Sequence, residues 1–391
     1  MAATRAIVLA AGEGVRLRPL TTYRPKPMLP AATSPIIEHV LDELIAAGIE
    51  EITLVVGHKG ERIQSYFGPA YREVDLTYRI QKTQLGTGHA LRVAEPPDEP
   101  YLLVNGDQIV DQRLIREVID SHGDAAVSLG VIPGRDVSDY GGAIVRDGHV
   151  VDLVDRPTDH RDYYLNAGVY CCNPMVTDAV AELEPDGGER SIIDAIVSLI
   201  DSEKTVNAVV SDGYWADANY PWDLLSIAAD LLGQGRSKRL EAYRREDISV
   251  HESATIREPV AIGPNSEIGP GAVIGPDTAI GENVTVGANA VVQSSVLDRD
   301  TRIGPNATII DTVTGIGARL GAAATVPGGL ADVRIGNRIF PDRRLGALIA
   351  DRVVDGGGTS YEPGSIVGPD VSVETGATVR GVIEAGTHIG R

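Results

Sequence analysis

The hydrophobic pattern of this 391-residue chain changes its period at about residue 250. Up to about residue 230, short apolar runs bounded by turn residues alternate with longer stretches in which apolar residues recur every three or four positions. The short runs predict buried strands, and the longer stretches predict helices. The predicted strands are Ile7–Ala11, Ile52–Val56, Tyr101–Val104, Ala125–Leu129 and Gly168–Cys172, and the predicted helices are Ile36–Ala47, Gln112–Ser121, Ser191–Ile200 and Trp222–Leu232. This alternation indicates an α/β domain with a mostly parallel sheet, which binds ligands at the carboxyl ends of its strands.

From about residue 250, isoleucine or valine recurs at every sixth position and is often followed directly by glycine. The repeated positions are Val250, Ile256, Ile262, Ile268, Ile274, Ile280, Val286 and Val292. The period resumes at Ile303 and Ile309 after a slip, is irregular over residues 311–360, and returns at Val367, Val373 and Val379. Such a repeat predicts a parallel β-helix, in which three faces make one triangular coil. Isoleucine or valine points inward on each face, and glycine or asparagine turns the corner.

The change of period divides the chain into two domains. We predict an α/β domain over residues 1–232, a polar linker over 233–247 and a β-helix domain over 248–391. The length of the chain suits two domains of ordinary size.

Acidic residues outnumber basic residues, 55 to 35, and the formal net charge is −20. This balance argues against nucleic acid or an anionic membrane surface as a partner, because both require basic patches. Few of the basic residues are lysines, and an acidic, lysine-poor composition is expected of a protein that is soluble in strong salt, where self-repulsion is screened. We therefore predict a halophilic protein.

The two cysteines, Cys171 and Cys172, are adjacent and fit neither a disulfide framework nor a metal-ligand spacing. We expect them to be buried thiols on a strand. No charged and apolar leader opens the sequence, and no apolar stretch approaches the ~20 residues of a membrane-spanning helix. These features predict a soluble, cytoplasmic protein with no membrane partner.

The chain opens with a glycine loop and two cations. The apolar run Ile7–Ala11 is followed by Gly12 and Gly14, then by Arg16 and Lys26. Glycines let backbone N–H groups approach an anion closely, and the prolines on either side of the lysine hold its backbone extended. The loop has neither the third glycine of a dinucleotide fingerprint nor the Gly-Lys-Ser/Thr of a P-loop. A phosphate-binding loop of another kind is therefore predicted.

The opening string Leu-Ala-Ala-Gly-x-Gly-x-Arg-Leu-x-Pro-Leu-Thr, followed by Pro-Lys-Pro at residues 25–27, resembles that of sugar-1-phosphate nucleotidylyltransferases. This family makes nucleotide-activated sugars and includes glucose-1-phosphate thymidylyltransferases and UTP-sugar pyrophosphorylases. The resemblance covers the whole chain. It implies a Rossmann-like nucleotidyltransferase domain followed by a left-handed β-helix, as in archaeal and bacterial relatives.

The resemblance also implies a reaction, in which a sugar-1-phosphate oxygen attacks the α-phosphorus of a nucleoside triphosphate and pyrophosphate is released. Catalysis of this kind is mostly positioning and charge neutralisation. By resemblance, Arg16 and Lys26 stabilise charge on the triphosphate, while Ala11, Gly12 and Gly14 bind the nucleotide. The expected substrates are dTTP or UTP and, as the sugar, glucose-1-phosphate.

Two aspartates are the expected ligands of a magnesium ion. Asp107 ends the apolar strand that begins at Tyr101, and Asp217 lies in a Trp-x-Asp string ahead of a predicted helix. Both positions resemble metal carboxylates of the family. Mg²⁺ prefers oxygen ligands and is usually held by one or two carboxylates together with phosphate oxygens.

The string Gln-x-x-Gln-Leu-Gly-Thr-Gly-His over residues 81–89 matches the segment with which the family recognises the base. A carboxamide offers one acceptor and two donors, which suits the edge of a pyrimidine. By resemblance, Gln81 and the backbone around Gly86 and Thr87 contact uracil or thymine. We expect His89 to cap or orient the loop rather than to act as a base.

The sugar contacts are expected from three segments. Gly142 follows a Tyr-Gly pair, and Asn166 begins an Asn-x-Gly string, in which it would donate to a sugar hydroxyl. Asp155 and Arg156 stand where the family usually has Glu-Lys before proline. Arg156 keeps the positive charge expected to anchor the sugar phosphate, although its planar fork replaces a point charge. Asp155 is one methylene shorter than glutamate.

The β-helix has two possible roles. Some relatives use it as an amino-sugar acetyltransferase, which requires a histidine base in a Lys-His-Ser string, and the aligned stretch Ile310–Gly317 has no histidine. Assembly is therefore the favoured role, and the resemblance implies a homo-oligomer, a trimer formed through the β-helix. A bifunctional enzyme with acetyltransferase activity and a non-catalytic regulatory protein that binds a nucleotide sugar remain alternatives.

Overall fold

A computed structural model describes residues 3–134, 137–183, 190–234 and 247–390. They form two compact units that do not follow a single cut in the sequence. The first unit comprises Met1–Glu13, Pro25–Met28 and Ile36–Asp217, and the second comprises Gly14–Arg24, Leu29–Pro35 and Ala218–Arg391. The helix after residue 220 thus groups with the second unit. Most of the predicted linker lies outside the described residues, and the predicted domain boundaries stay a prediction.

The described residues before residue 235 form fourteen strands and seven α-helices. The strands are β1 (Arg5–Ala10), β2 (Pro30–Ala31), β3 (Ser34–Pro35), β4 (Glu51–Val56), β5 (Ala70–Tyr71), β6 (Val74–Ile80), β7 (Tyr101–Asn105), β8 (Gln108–Val110), β9 (Val127–Ile132), β10 (Gly141–Arg146), β11 (His149–Asp155), β12 (Tyr164–Cys172), β13 (Val206–Val210) and β14 (Trp215–Asp217). The helices are α1 (Ile36–Ala47), α2 (Gly60–Phe67), α3 (Gly86–Ala94), α4 (Gln112–Asp120), α5 (Met175–Glu182), α6 (Ile192–Asp201) and α7 (Pro221–Gly233). Short 3-10 turns lie at Val15–Leu17, Leu20–Thr22 and Lys26–Met28.

Ten of these strands form the central sheet of the first unit, in the order β10-β11-β13-β9-β12-β7-β1-β4-β6-β5. Strands β7, β1, β4 and β6 are parallel neighbours, and β12 joins them antiparallel to β7. Val8, Leu54 and Val104 on the parallel strands are fully buried. Burial on both faces explains why these strands read as continuous apolar runs. The predicted Rossmann-like α/β fold is confirmed, with a parallel core that antiparallel strands extend.

Local sequence sets where the helices of the first unit begin. The Asp111 carboxylate accepts a hydrogen bond from the backbone N–H of Leu114 at the start of α4, and Ser191 caps α6 in the same way through Ile193. Such caps satisfy backbone donors that the first turn leaves unpaired. Across the described part of the chain, no helix is long and apolar enough to span a lipid bilayer.

The second unit consists mainly of three stacked parallel sheets, the arrangement of a left-handed parallel β-helix, which confirms the predicted fold. The first sheet contains Ser249–Val250, Glu267–Ile268, Thr285–Val286, Arg302–Ile303, Arg319–Leu320, Val354–Asp355, Ser372–Val373 and His388–Ile389. The second contains Thr255–Ile256, Val273–Ile274, Val291–Gln293, Thr308–Ile310, Thr325–Val326, Ser360–Tyr361 and Thr378–Val379. The third contains Val260–Ile262, Thr278–Ile280, Val296–Leu297, Thr312–Thr314, Ala347–Ile349, Ser365–Val367 and Val382–Ile383. Helix α7 packs on the third sheet.

The slip in the repeat is a coil that is one residue short. Ile262 pairs with Ile280, 18 positions later, whereas Ile280 pairs with Leu297, 17 positions later. The strands stay in register because the missing residue is taken from a corner.

Glycine and asparagine have different structural roles in these coils. Asn283 has φ +54° and adopts the left-handed conformation that turns a corner. Gly263 lies where a Cβ would come within 2.6 Å of the Gly281 backbone in the next coil. Glycine after the inward isoleucine is therefore required by the close stacking of coils, at the residue where the strand ends and the turn begins.

The stretch predicted to be irregular contains an inserted hairpin. Strands Leu330–Ile335 and Arg338–Arg344 pair with each other outside the three sheets. Thr312–Thr314 nevertheless pairs directly with Ala347–Ile349 across the insertion. The β-helix is thus continuous through a region in which its sequence period is lost.

Candidate active site

A cavity of about 330 Å³ opens in the first unit at the carboxyl ends of β1 and β7. It is lined by Leu9, Ala10, Ala11, Gly12, Pro27, Gln81, Gln84, Gly86, Thr87, Ala90, Asn105 and Asp107. Six of these were predicted as site residues, namely Ala11, Gly12, Gln81, Gly86, Thr87 and Asp107. The carboxyl ends of parallel strands are where an α/β sheet binds ligands.

The glycine loop leaves one wall of this cavity open. A Cβ built on Gly12 would meet no atom within 4 Å, so the space beside its backbone is available to a ligand. Gly57, which the sequence did not single out, lies so close that its Cβ would come within 2.6 Å of the Ala11 carbonyl oxygen. Gly14 belongs to the second unit, has φ +63° and accepts a hydrogen bond from the Thr21 hydroxyl.

Lys26 joins the two predicted metal carboxylates. Its Nζ lies 2.9 Å from Asp107 Oδ2 and 2.5 Å from Asp217 Oδ1. The lysine side chain is buried, and the Asp107 side chain is 36% exposed. Burial lowers the pKa of Lys26, but the charges of Asp107 and Asp217 outweigh it and raise the pKa above its ordinary value. The ammonium therefore stays charged, and both carboxylates converge on one point.

Backbone pairing brings these two aspartates together from distant parts of the sequence. Gly106 donates its N–H to the Leu9 carbonyl, which fixes the end of β7 beside the end of β1. Strand β14 pairs antiparallel with β8, and Asp217 lies opposite Gln108, the residue after Asp107. The arrangement explains why a Trp-x-Asp string and a Gly-Asp string supply one site.

The predicted base loop is braced by residues that the sequence did not indicate. Arg190 accepts the N–H of Gly88 on its carbonyl oxygen and donates its own N–H to Leu85. The Thr87 hydroxyl accepts the N–H of Ile192 at the start of α6. Gly86 has φ +85°, and a Cβ there would lie 2.4 Å from the Arg190 carbonyl oxygen. Glycine is required at this position by both conformation and space.

The glutamine side chains of the cavity wall are fixed by hydrogen bonds. Gln81 is buried, and its Nε2 lies 3.1 Å from the Gly86 carbonyl oxygen and 2.9 Å from His89 Nδ1. Gln84 donates from Nε2 to the Ala11 carbonyl oxygen at 2.8 Å. His89 thus contacts Gln81, and its predicted role in orienting the loop stays a prediction.

The residues predicted to contact the sugar lie on β10, β11 and β12. Asn166 is buried, donates from Nδ2 to the Tyr170 hydroxyl at 2.8 Å, and accepts the N–H of Gly168. A Cβ on Gly142 would lie 2.7 Å from the ring of Tyr163, so packing accounts for glycine there. The predicted contacts of both residues with a sugar stay predictions.

Asp155 and Arg156 are exposed neighbours at the end of β11. The Arg156 guanidinium lies 3.4 Å from the Asp155 carboxylate, and both side chains are more than half exposed. The N–H of Arg156 donates to the Tyr140 carbonyl oxygen, which holds the backbone of this corner. Neither residue is among those that line the cavity.

Arg16 belongs to the second unit, where it contacts an aromatic cluster. It donates from Nη1 to Asn219 Oδ1 at 3.2 Å, and its guanidinium lies 6.0 Å from the ring centre of Tyr220. Tyr220 stacks on Trp222, and both rings contact Phe340 of the inserted hairpin. The predicted contact of Arg16 with phosphates stays a prediction.

The signature segment contains a second cation held by two aspartates, which the sequence analysis missed. Arg24 is buried in the second unit and forms ion pairs with Asp298 and Asp351. Burial lowers the pKa of Arg24, and the two carboxylates more than offset this and raise it. Nothing in the hexapeptide pattern distinguishes these two aspartates from the other polar residues at coil corners.

Known proteins match both halves of the chain. The family model described as nucleotidyl transferase matches residues 5–234, and the model described as GMPPB C-terminal domain matches residues 256–386. The bifunctional protein GlmU of Methanococcus maripaludis strain C7 is 35% identical over 98% of this chain and 96% of its own length. The UTP–glucose-1-phosphate uridylyltransferase AglF of Haloferax volcanii is 35% identical over 56% of this chain and 93% of its own length.

A solved structure shows the same fold as the first part of the chain. UDP-glucose pyrophosphorylase, crystallised with UDP-glucose, is 22% identical and superposes with a TM-score of 0.54 over 59% of this chain and 99% of its own. The family model spans more than half of the chain, and the GlmU relative extends over nearly all of it. The resemblance to sugar-1-phosphate nucleotidylyltransferases is thereby confirmed, and the chain belongs to the nucleotidyl transferase family of enzymes.

Proposed function

We propose that this enzyme transfers a nucleotidyl group from dTTP or UTP to a sugar-1-phosphate, with glucose-1-phosphate as the first candidate, and releases pyrophosphate. Family membership supports the nucleotidyl transfer. The sugar and the base are supported by AglF, whose name specifies UTP and glucose-1-phosphate. The base-recognition string over residues 81–89 supports a pyrimidine.

The observation that carries the proposal is the ion-paired cluster of Lys26, Asp107 and Asp217 beside the cavity. Asp107 and Pro27 line a space that also contains the glycine loop and the carboxamide of Gln81. One region of the first unit thus combines a permanently charged ammonium, two carboxylates and groups suited to a base. A nucleoside triphosphate needs all three.

The reaction forms one phosphorus–oxygen bond and breaks another. A phosphate oxygen of the sugar-1-phosphate attacks the α-phosphorus, and the bond to the β-phosphate oxygen breaks as pyrophosphate leaves. In our proposal, Lys26 and Arg16 neutralise charge on the triphosphate, and Arg156 anchors the sugar phosphate. Gly142, Asp155 and Asn166 orient the sugar. Held charges of this kind act without reorganisation at the moment of reaction.

The cluster also fits a divalent metal ion, which we propose to be Mg²⁺. Asp107 and Asp217 would hold it, because their oxygens converge on the single Nζ of Lys26 and carboxylate oxygens are the donors that Mg²⁺ prefers. When bound, the ion would neutralise charge on the phosphates.

The decisive experiment is pyrophosphate release from a matrix of triphosphates and sugar-1-phosphates, in molar KCl with Mg²⁺. We expect release with UTP or dTTP and one sugar, and loss of release when EDTA removes the metal. Asp107→Ala should be inactive, while Asp75→Asn, an exposed aspartate on β6, should keep the full rate. No release by the folded protein with any pair would instead favour the regulatory alternative.

The β-helix has a proposed role of its own, which is assembly into a trimer. Sedimentation should then give three times the chain mass of 41.3 kDa. The full-length match to a bifunctional relative keeps an acetyltransferase activity as a second candidate. Acetyl-CoA consumption with glucosamine-1-phosphate would demonstrate that activity. We expect none, because the chain has no histidine in the stretch 310–317.

A further inference from the structure

The carboxamide of Gln81 has a fixed orientation. The carbonyl oxygen of Gly86 can only accept a hydrogen bond, so the amide atom facing it must be the nitrogen. The same nitrogen lies 2.9 Å from His89 Nδ1, which must then accept the second amide proton. Both N–H groups of Gln81 are therefore committed to protein acceptors.

His89 is itself held in place by backbone contacts. It lies in the first turn of α3, directly after Thr87 and Gly88, which hydrogen-bond to Ile192 and Arg190 respectively. Because its Nδ1 accepts from Gln81, the proton of the neutral ring is on Nε2. A half-buried ring fixed in this way gives the amide a constant partner.

The remaining polar atom of Gln81 is its oxygen, Oε1. Since Gln81 lines the cavity and its nitrogen is occupied, this side chain can present only an acceptor to a base. Gln84 commits one of its two N–H groups to the Ala11 carbonyl oxygen and can still donate the other. Gln81 itself therefore favours a base edge that donates a hydrogen bond.

Uracil and thymine carry a proton on N3, whereas N3 of cytosine is an acceptor and cytosine donates only from its 4-amino group. An acceptor placed opposite N3 therefore favours uracil or thymine. An acceptor facing an acceptor leaves two desolvated lone pairs in contact, and such mismatches at a polar site are strongly discriminating. We propose that His89 is a positioning residue that selects uracil or thymine over cytosine: by accepting the second amide proton of Gln81, it leaves only the amide oxygen to face N3 of the base. This proposal rests on the proposed function.

The test compares specificity rather than rate alone. We would measure kcat/KM for UTP, dTTP and CTP with one sugar-1-phosphate in the full-length protein and in His89→Phe, which keeps a ring but removes the acceptor. The ratio of kcat/KM for UTP to that for CTP should fall at least about tenfold in this variant, because the second N–H of Gln81 loses its acceptor and becomes free to donate to N3 of cytosine. His89→Asn restores an acceptor oxygen near the position of Nδ1, and most of the ratio should return. His58→Ala, at an exposed histidine of the same unit, should change neither rate nor ratio.

The outcomes separate this proposal from the one on which it rests. A purely structural role for His89 would lower kcat/KM for UTP and CTP by the same factor and leave the ratio unchanged, which would overturn the proposal. Equal use of UTP and CTP by the wild-type protein would also overturn it while leaving nucleotidyl transfer intact. Absence of pyrophosphate release with every triphosphate would overturn both. If His89→Phe does not fold by circular dichroism, His89→Ala replaces it as the variant without an acceptor.

Discussion

Arg24 and Lys26 lie two positions apart in the sequence, and each forms ion pairs with two aspartates. Arg24 and its partners belong to the second compact unit, whereas Lys26 and its partners belong to the first. The partners of Arg24 are Asp298 and Asp351, whose side chains are about one tenth exposed or less. Among the partners of Lys26, Asp107 is 36% exposed and lines the cavity. The same composition thus produces a closed cluster in the β-helix unit and an open cluster in the α/β unit.

The comparison teaches that access, rather than charge pairing, distinguishes a reactive cluster from a structural one. Both clusters raise the pKa of their cation, because two carboxylates outweigh the cost of burial in each case. Only the open cluster leaves carboxylate surface that a metal ion or a phosphate could reach. We therefore expect changes in the open cluster to affect catalysis and changes in the closed cluster to affect stability.

The largest effect is expected from Asp107→Ala. Loss of this carboxylate should lower kcat by about 10³-fold or more, in line with the removal of a charge-stabilising group at a reacting centre. The free energy of unfolding should change little, because the Asp107 side chain is 36% exposed and an ion pair that water reaches contributes little to stability. Pyrophosphate release measures the expected fall in kcat, and thermal unfolding of the same sample measures the expected unchanged stability. A variant with near-normal rate would contradict the metal assignment.

The matching change in the closed cluster is Asp351→Asn. Asparagine keeps the oxygen that accepts the N–H of Ile316 but removes the charge that pairs with buried Arg24. We expect a loss of about 1–2 kcal/mol in the free energy of unfolding, less than for a fully broken buried ion pair, because Arg24 keeps Asp298 and burial raises the pKa of Asp351. Urea unfolding measures it, with the exposed hairpin residue Asp332 changed to asparagine as the control. If Asp351→Asn lowered kcat per folded molecule as much as Asp107→Ala does, the closed cluster could not be called purely structural.

A smaller effect should come from an exposed ion pair in the second unit. Arg352 binds Asp370 through two hydrogen bonds of 2.7 and 2.8 Å and lies over the ring of Tyr23. Both charged groups are about half exposed, so Arg352→Ala should cost roughly 0.5–1 kcal/mol in dilute buffer. The ion-pair part of this cost should disappear in molar KCl because salt screens exposed charges. If Arg352→Ala lowered the free energy of unfolding more than Asp351→Asn does, exposure would not explain the different contributions of these two ion pairs.

The smallest change is expected from alkaline pH. The pKa of Lys26 is raised above its ordinary value of 10.5, so its ammonium persists, and its contribution to stability is present below pH 10.5 and lost only as pH rises through the higher, folded-state pKa. The profile of kcat/KM between pH 7 and 10 should therefore show no loss caused by this group. A fall near pH 9 that disappears in Lys26→Arg would show that the two carboxylates do not hold the proton on Lys26.

Much of the fold was predictable because the spacing of apolar residues along the chain is enough to indicate it. Helix α1 begins and ends at the predicted residues, and repeat isoleucines such as Ile274 and Ile280 are fully buried. Val250, at the first predicted inward position, is exposed instead. The edge of the sheet was harder. Strand β9 begins at Val127, two residues after the predicted start, and β10 and β11 were not predicted, since one-sided strands lack a continuous apolar run.

The candidate site was predictable where a string of residues carries the chemistry. Asp107, Gln81 and the glycine loop line one cavity, as their positions at strand ends suggested. What the sequence could not indicate were the braces, such as Arg190 against Gly88 and the aspartates around Arg24. These contacts join residues that are far apart in the chain and depend on backbone position rather than on residue pattern.

The inserted hairpin Leu330–Arg344 has a consequence for how such a scaffold changes over time. The chain leaves the β-helix at one corner and returns to it with Thr312–Thr314 and Ala347–Ile349 still paired residue for residue. The entropy lost in closing an excursion of this kind grows only with the logarithm of its length. A coil corner can therefore gain or lose an appendage while the cross-section of the β-helix stays constant. New surface can evolve at the edges of this scaffold without redesign of its interior.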